Sequence, residues 1–426
     1  MKRRILLLVF SILSFTAVQL NAQVTISGGS DVNGAYPTIA AAVAALNGAV
    51  ISGPVTVDVI AGHTETLTAR INMTATGTMT NTITIQKSGA GANPVITSYV
   101  GIHPTSDPEP DGMFSFSGSD WVTIDGIDLQ ESAANTDDIT TMEYGYGFFK
   151  NSDVDGCQNN TIKNCTITLN RVNNSSWATS SATNGSVGIA INNTTALAVG
   201  TAFTITAPSG TSSFNKFYSN TIQNCNTGMA FDGFNAPSPF DLADQGNDIG
   251  GTSPATGNIV RNYGGGGSAN GAAGIYTIRQ WDVNCSYNTV NNNDGGGINH
   301  PTTLWGILLS TATSANITCN NNNVSIHGGA TTSVTYGIQI TAGSTANNNT
   351  IDVRNNSITG DYLTATTGAF YGINTGATAA TVNIFNNTVA GMSYGSLAAT
   401  GTGANYLIYN SSAAQNINIM NNVATD

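Results

Sequence analysis

From about residue 280 onward the chain repeats one pattern of positions: apolar, x, apolar, x, x, Asn, x, apolar. It reads Val283, Cys285, Asn288, Val290, then Ile317, Cys319, Asn322, Val324. Further copies are Ile351, Val353, Asn356, Ile358 and Val382, Ile384, Asn387, Val389, with a frayed copy at Ile417, Ile419, Asn422. Successive copies start 34, 34, 31 and 35 residues apart. A second marker is interleaved with the first. Gly274-Ile275, Trp305-Gly306-Ile307, Tyr336-Gly337-Ile338 and Tyr371-Gly372-Ile373 follow one another at steps of 32, 31 and 35. Looser relatives are Tyr146-Gly147-Phe148, Val187-Gly188-Ile189 and Gly228-Met229. Two motifs that keep the same uneven step define a structural repeat.

The spacing inside the unit predicts its shape. Apolar residues at the first and third positions form a strand with one buried face. The next apolar residue follows after an odd gap, so the alternation slips by one and the chain must bend. Asn sits at the slip, where its short amide side chain tolerates the left-handed conformation. Each coil then returns above its own start, and its strands pair with those of neighbouring coils at about 4.8 Å. Equivalent Asn residues are expected to stack amide to amide. About 12 coils, in a rod on the order of 60 Å long, would hold the chain. The predicted fold class is all-β, a right-handed parallel β-helix. Helical repeats need better helix formers than Asn, Gly and Thr, and leucine-rich repeats need Leu where Ile and Val stand here. A β-propeller is the competing architecture.

The N-terminal part reads as a cap. Within Tyr36 to Gly48, Pro37 suits a first helical position, Ile39, Val43 and Leu46 share one face, and Gly48 can end the helix. Val55, Val57 and Val59 then alternate as a strand. The expected organisation is a signal peptide over 1–22, an N-terminal cap and first coils over 23–100, and a continuous β-helix over 101–426. The signal peptide rests on Lys2, Arg3 and Arg4, an apolar run from Ile5 to Phe15, and a cleavage site after Ala22. That run is short of the roughly 20 residues a membrane span needs.

Charge narrows the partners. Only 8% of residues are charged and the formal net charge is −12; removing three basic residues with 1–22 gives −12 − 3 = −15. Nucleic acid and anionic membranes, which need basic patches, are poor partners for such a surface. An extracellular polysaccharide or a cell-surface component remains compatible. Cys165 and Cys225 stand in matching contexts, and Cys285 and Cys319 replace aliphatic residues of the repeat, so they read as buried thiols rather than disulfides. Cys157 is the leftover.

The helix-then-strand opening, the stretch Thr123-Ile124-Asp125-Gly126-Ile127-Asp128-Leu129 and the later Asn-x-Val/Ile corners resemble secreted right-handed parallel β-helix proteins of the pectin-lyase-like superfamily. The resemblance spans nearly the whole mature chain and lies in how coils turn. It implies either a polysaccharide lyase or hydrolase, or a surface protein with no reaction of its own. Calcium-dependent lyases of this kind hold a uronate through carboxylate-bound calcium and use an Arg or Lys base. Hydrolases use several Asp residues, with a nearby His and an Arg-x-Lys pair.

The chemistry those proteins need is hard to find here. Twelve of the 24 acidic residues fall between Asp107 and Asp155. Asn135-Thr136-Asp137-Asp138 resembles fragments of the hydrolase pattern, but fused where they should lie on successive coils. His327-Gly328 lacks a preceding Gly, and no Arg-x-Lys occurs. Asp137, Asp138, Glu143, Asp153 and Asp155 are the calcium candidates, because calcium takes six to eight oxygens from flexible loops. His63, His103, His300 and His327 are isolated in sequence, without metal-ligand spacing. Arg171, Lys216, Arg261, Arg279 and Arg354 are scattered, and the Gly264 to Gly267 loop lacks the residues of a phosphate cradle. Trp305, Tyr336 and Tyr371 recur one coil apart. Pointing outward they would form a ladder for sugar rings; inward packing is the expected outcome. The function expected is an exported surface, adhesion or glycan-contacting module, with polysaccharide lyase or glycoside hydrolase as the alternative.

Overall fold

The computed structural model describes residues 23–103, 109–171, 185–265, 270–294, 300–395 and 402–425. The expected signal peptide over 1–22, Asp107, Gly266 and Gly267 lie outside the described residues. Each coil contributes one short strand to each of three sheets, as Ile317–Asn320 (sheet A), Asn323–His327 (sheet B) and Thr335–Ile340 (sheet C) do in one coil. Strands pair in parallel with the equivalent strands of the coils above and below, so the chain is a parallel β-helix and not a propeller. Among the described residues sheet A has 13 strands, sheet B 11 and sheet C 10. That makes about ten coils, fewer than the repeat length predicts, because middle coils carry long excursions. The step from Thr161 to its register partner Lys216 takes 216 − 161 = 55 residues.

The interior is filled by register-matched apolar stripes such as Ile317, Ile351 and Val382, all buried. All five cysteines are free and buried, Cys285 and Cys319 at the apolar repeat position that predicts it. Cys165 and Cys225 follow strands of different sheets, Thr161–Lys163 in A and Thr221–Gln223 in B, so their matching contexts are not equivalent coil positions. The amide ladder is present, twice. Asn220, Asn258, Asn288, Asn322, Asn356, Asn387 and Asn422 form the long one, each Nδ2 donating to the next Oδ1 at 2.9–3.1 Å. Asn160, Asn215 and Asn247 form a shorter one at 3.1–3.2 Å. The left-handed residue, however, is the one before the ladder Asn: Tyr287, Asn321, Asn355, Asn386 and Asn421 have φ of 55–62°. The preceding residue turns the corner, and that turn aims the following amide into the ladder.

The first coil is sealed as expected of a solenoid end. Strand Val24–Ser30 pairs antiparallel with Ile51–Ile60, and the helix Ile39–Leu46 buries Ile39, Ala42, Val43 and Leu46. Thr38, not Pro37, begins the helix: its side chain accepts from the Ala41 amide at 3.0 Å. The Glu65 carboxylate accepts from the Ile39 and Ala40 amides at 2.7 and 3.0 Å, satisfying donors that a helix start leaves open.

Candidate functional site on the outer face of sheet C

Strand register places Trp305, Tyr336, Tyr371 and Tyr406 in one column across four coils. Contrary to the expectation of inward packing, this column faces outward. The glycine that follows each ring gives the reason. A Cβ on Gly337 would lie 2.5 Å from the Gly372 carbonyl oxygen and 2.7 Å from Ile358 of sheet B; on Gly306 or Gly372 it would lie 2.5 Å from Val324 or Val389. Glycine therefore occupies the crowded inner corner, and alternation turns the preceding aromatic residue to the outside.

The rings form a staircase. Centroid separations down the column are 6.0, 5.1 and 4.8 Å, with planes within 4–14° of parallel. The rung spacing of about 4.8 Å sets these separations, which exceed the roughly 3.5–4.0 Å at which carbon atoms of stacked rings touch. Trp305, Tyr336 and Tyr371 are half-buried and Tyr406 is exposed. Beside the column runs a second one of Gln339, Asn374 and Tyr409. Gln339 accepts from the Trp305 indole at 2.6 Å, and Tyr409 meets Tyr371 edge-on at 5.5 Å. Burial pushes the Tyr336 and Tyr371 phenols up from their ordinary value, so they are neutral donors at physiological pH. Tyr406 and Tyr409 are each 37% exposed. The pair escaped sequence reading because Leu407 stands where the marker requires Gly; only the 35-residue step from Tyr371 points to Tyr406.

The carboxylates named from sequence lie apart. Asp137 is exposed in a turn, where its Oδ1 accepts from the Ile139 and Thr140 amides and the Thr140 hydroxyl at 2.8–3.1 Å. The bonds from Thr140, followed by that from Ile139, hold its carboxyl below the ordinary value. Asp138 is exposed beside it. Glu143 is buried and accepts from the Asp111 amide at 2.5 Å. Asp153 accepts from Thr206 at 2.6 Å, and Asp155 from Asn151 at 2.8 Å, in a separate loop. Among the described residues no three His, Cys, Asp or Glu side chains form a group that could hold a metal.

Two further charged places are built into the body of the fold. A cavity of about 320 Å³ is lined by Arg70, Tyr99, His103, Glu109 and Asp111. Its polar groups are turned on one another: Tyr99 donates to Asp111 at 2.9 Å, and Arg70 donates to the Pro110 carbonyl and to Glu109. Farther along, the wholly buried Lys150 lies 2.9 Å from Asp244 and from Ser212. Nearby Asp232 is pushed up to about 7 by burial, with Arg279 opposing the shift.

No protein-family model matches the chain, and no curated protein matches it. Similar solved structures include a double mutant of the periplasmic alginate epimerase AlgG (11% identity, 99% of each chain covered, TM-score 0.41). Others are the A-module of Azotobacter vinelandii mannuronan C-5 epimerase AlgE6 (13%, 91% of this chain and 94% of that one, TM-score 0.33) and the Streptococcus pneumoniae surface protein and adhesin PfbA (10%, 91% and 94%, TM-score 0.35). The fold that the strand pairing shows is a parallel β-helix. No residue role passes from those proteins to this chain.

Proposed function

We propose that this protein is an exported β-helix module that contacts an extracellular glycan through the outer face of sheet C. The observation that supports this reading is the staircase of Trp305, Tyr336, Tyr371 and Tyr406 flanked by Gln339. Partly exposed rings suit the apolar C–H faces of sugars, and an amide and neutral phenols suit their hydroxyls. The repeat of one ring per coil suits an extended chain lying along the rod. The small charged fraction leaves a surface of Asn, Thr and Ser that hydrates well without attracting polyanions.

The test is affinity electrophoresis of the full-length protein in gels containing neutral or acidic polysaccharides, with and without calcium. Retardation by at least one polysaccharide is expected, weakened about fivefold by Tyr371→Ala or Tyr406→Ala, since a stacking contact is worth about 1 kcal/mol. Undiminished retardation in both variants would remove this face from the reading. Among the described residues no helix is long and apolar enough to cross a membrane.

A further inference from the structure

The outer face of sheet B carries a different chemistry. Ser325 and His327 lie two residues apart on the strand Asn323–His327, so both project from the same face. Asp361, on the next coil, is the register partner of His327. The Ser325 hydroxyl lies 3.2 Å from His327 Nε2, and His327 Nδ1 lies 2.7 Å from Asp361 Oδ2. A carboxylate can only accept, so Nδ1 carries the proton and Nε2 offers its lone pair to the serine. From this geometry we propose that Ser325, His327 and Asp361 are a nucleophile, base and orienting acid that cleave short acyl esters carried on glycan hydroxyls. Triads are recognised by such geometry and roles rather than by order in the chain.

The surroundings hold the three groups in place. Buried Asn292 clamps the His327 backbone at both ends, accepting from its amide at 2.7 Å and donating to its carbonyl at 2.9 Å. Gly360, just before Asp361, lets the two coils close up, since any Cβ there would strike the Ile326 carbonyl oxygen. The His327 and Asp361 side chains remain 25% and 35% exposed, open to a substrate. Asn291 is the register partner of Ser325 on the preceding coil, about 4.8 Å away along the sheet. Its Oδ1 accepts from the Asn293 amide at 2.9 Å, and its Nδ2 is the donor that the proposal assigns to a developing oxyanion. Exposed Thr359 is the partner on the following coil.

In the reaction, Ser325 Oγ attacks the ester carbonyl carbon while its proton passes to His327 Nε2. The bond from the acyl carbon to the glycan oxygen breaks, and that oxygen takes the proton from His327. Water, deprotonated by the same imidazole, then attacks the acyl carbon; the bond from that carbon to Ser325 Oγ breaks, Oγ takes the proton back from His327 Nε2, and the carboxylic acid leaves. A sheet face open at His327 and Asp361 admits a large alcohol lying across the rungs, and the acyl group proposed on it is small, such as acetyl. Only this choice of alcohol rests on the glycan reading; the triad does not.

The full-length protein should be treated with a fluorophosphonate and mapped by mass spectrometry, and assayed on p-nitrophenyl acetate and on acetylated polysaccharides. A phosphonyl adduct is expected on Ser325, absent in Ser325→Ala and formed at least tenfold more slowly in His327→Ala. Acetate ester turnover should fall about a hundredfold or more in both variants and in Asp361→Asn, with unchanged circular dichroism. Absence of the Ser325 adduct, or turnover that survives Ser325→Ala, overturns the triad. Cleavage of the small ester with no acetate released from any acetylated polysaccharide overturns the glycan substrate and leaves the triad standing. Glycan retardation lost in the Tyr variants, with labelling intact, separates the two surfaces.

Discussion

Replacing Asn356 by alanine removes a side chain that makes four hydrogen bonds inside the long ladder. Its Oδ1 accepts from the Asn322 backbone amide at 2.9 Å and from Asn322 Nδ2 at 3.0 Å; its Nδ2 donates to the Cys319 carbonyl at 2.8 Å and to Asn387 Oδ1 at 2.9 Å. The two neighbouring amides keep other partners, since Asn322 Nδ2 still reaches the Cys285 carbonyl and Asn387 Oδ1 still accepts from the residue 356 amide. The Asn322 amide and the Cys319 carbonyl lose the partners they had in the ladder. A buried polar group left unpaired costs about 1–3 kcal/mol, so the pair costs about 4 kcal/mol, well above the fraction of a kcal/mol of an exposed substitution. Urea unfolding followed by circular dichroism measures the change, with Thr359→Ala as the exposed control. The loss should appear as a lower midpoint at unchanged slope. Hydrogen exchange should show it concentrated in the coils on either side, because a solenoid couples mainly nearest neighbours. A loss below about 1 kcal/mol, or one no larger than that of the control, would refute the idea that the ladder stabilises the corners.

Other outcomes follow from the same physics. Gly337→Ala places a methyl group 2.5 Å from the Gly372 carbonyl oxygen and 2.7 Å from Ile358; we expect a loss of about 1–3 kcal/mol in thermal or urea unfolding, whereas Gly62→Ala meets no neighbouring atom and loses only through its φ of +76°. Asp232 has its folded-state pKa raised to about 7, first by burial. Its folded form therefore holds a proton that the unfolded chain releases near pH 4, so its contribution is present in acid and fades as pH rises toward 7. Asp232→Asn should flatten that part of the stability profile, and an unaltered profile would count against the assignment. The thiols of Cys157, Cys165 and Cys225 are pushed up to about 12 by burial, and all five cysteines are buried and free. A disulfide-exchange reagent should modify essentially none of them in the native protein and all five after denaturation.

Periodicity alone was enough for the architecture. The spacing of Ile351, Val353, Asn356 and Ile358 dictates two short strands joined by a corner, and nothing but stacking buries their apolar faces. It was likewise enough for the ladder and for the thiols of Cys285 and Cys319, because one residue type recurring at one coil position meets itself one rung away. The direction of Trp305, Tyr336 and Tyr371 was not legible. It depends on Val324, Ile358 and Val389 crowding the inner corner from another sheet, and that crowding exists only once the coil closes. The length of the middle coils was hidden too, since an excursion leaves no mark on the strands that flank it. The Ser325–His327–Asp361 arrangement shows the same limit: the third residue lies 34 positions after the second, and only the pairing of one coil with the next brings a carboxylate to the ring. Sequence determines what repeats along the axis; contacts across the axis and between rungs belong to the tertiary structure, because they depend on which residues share a level.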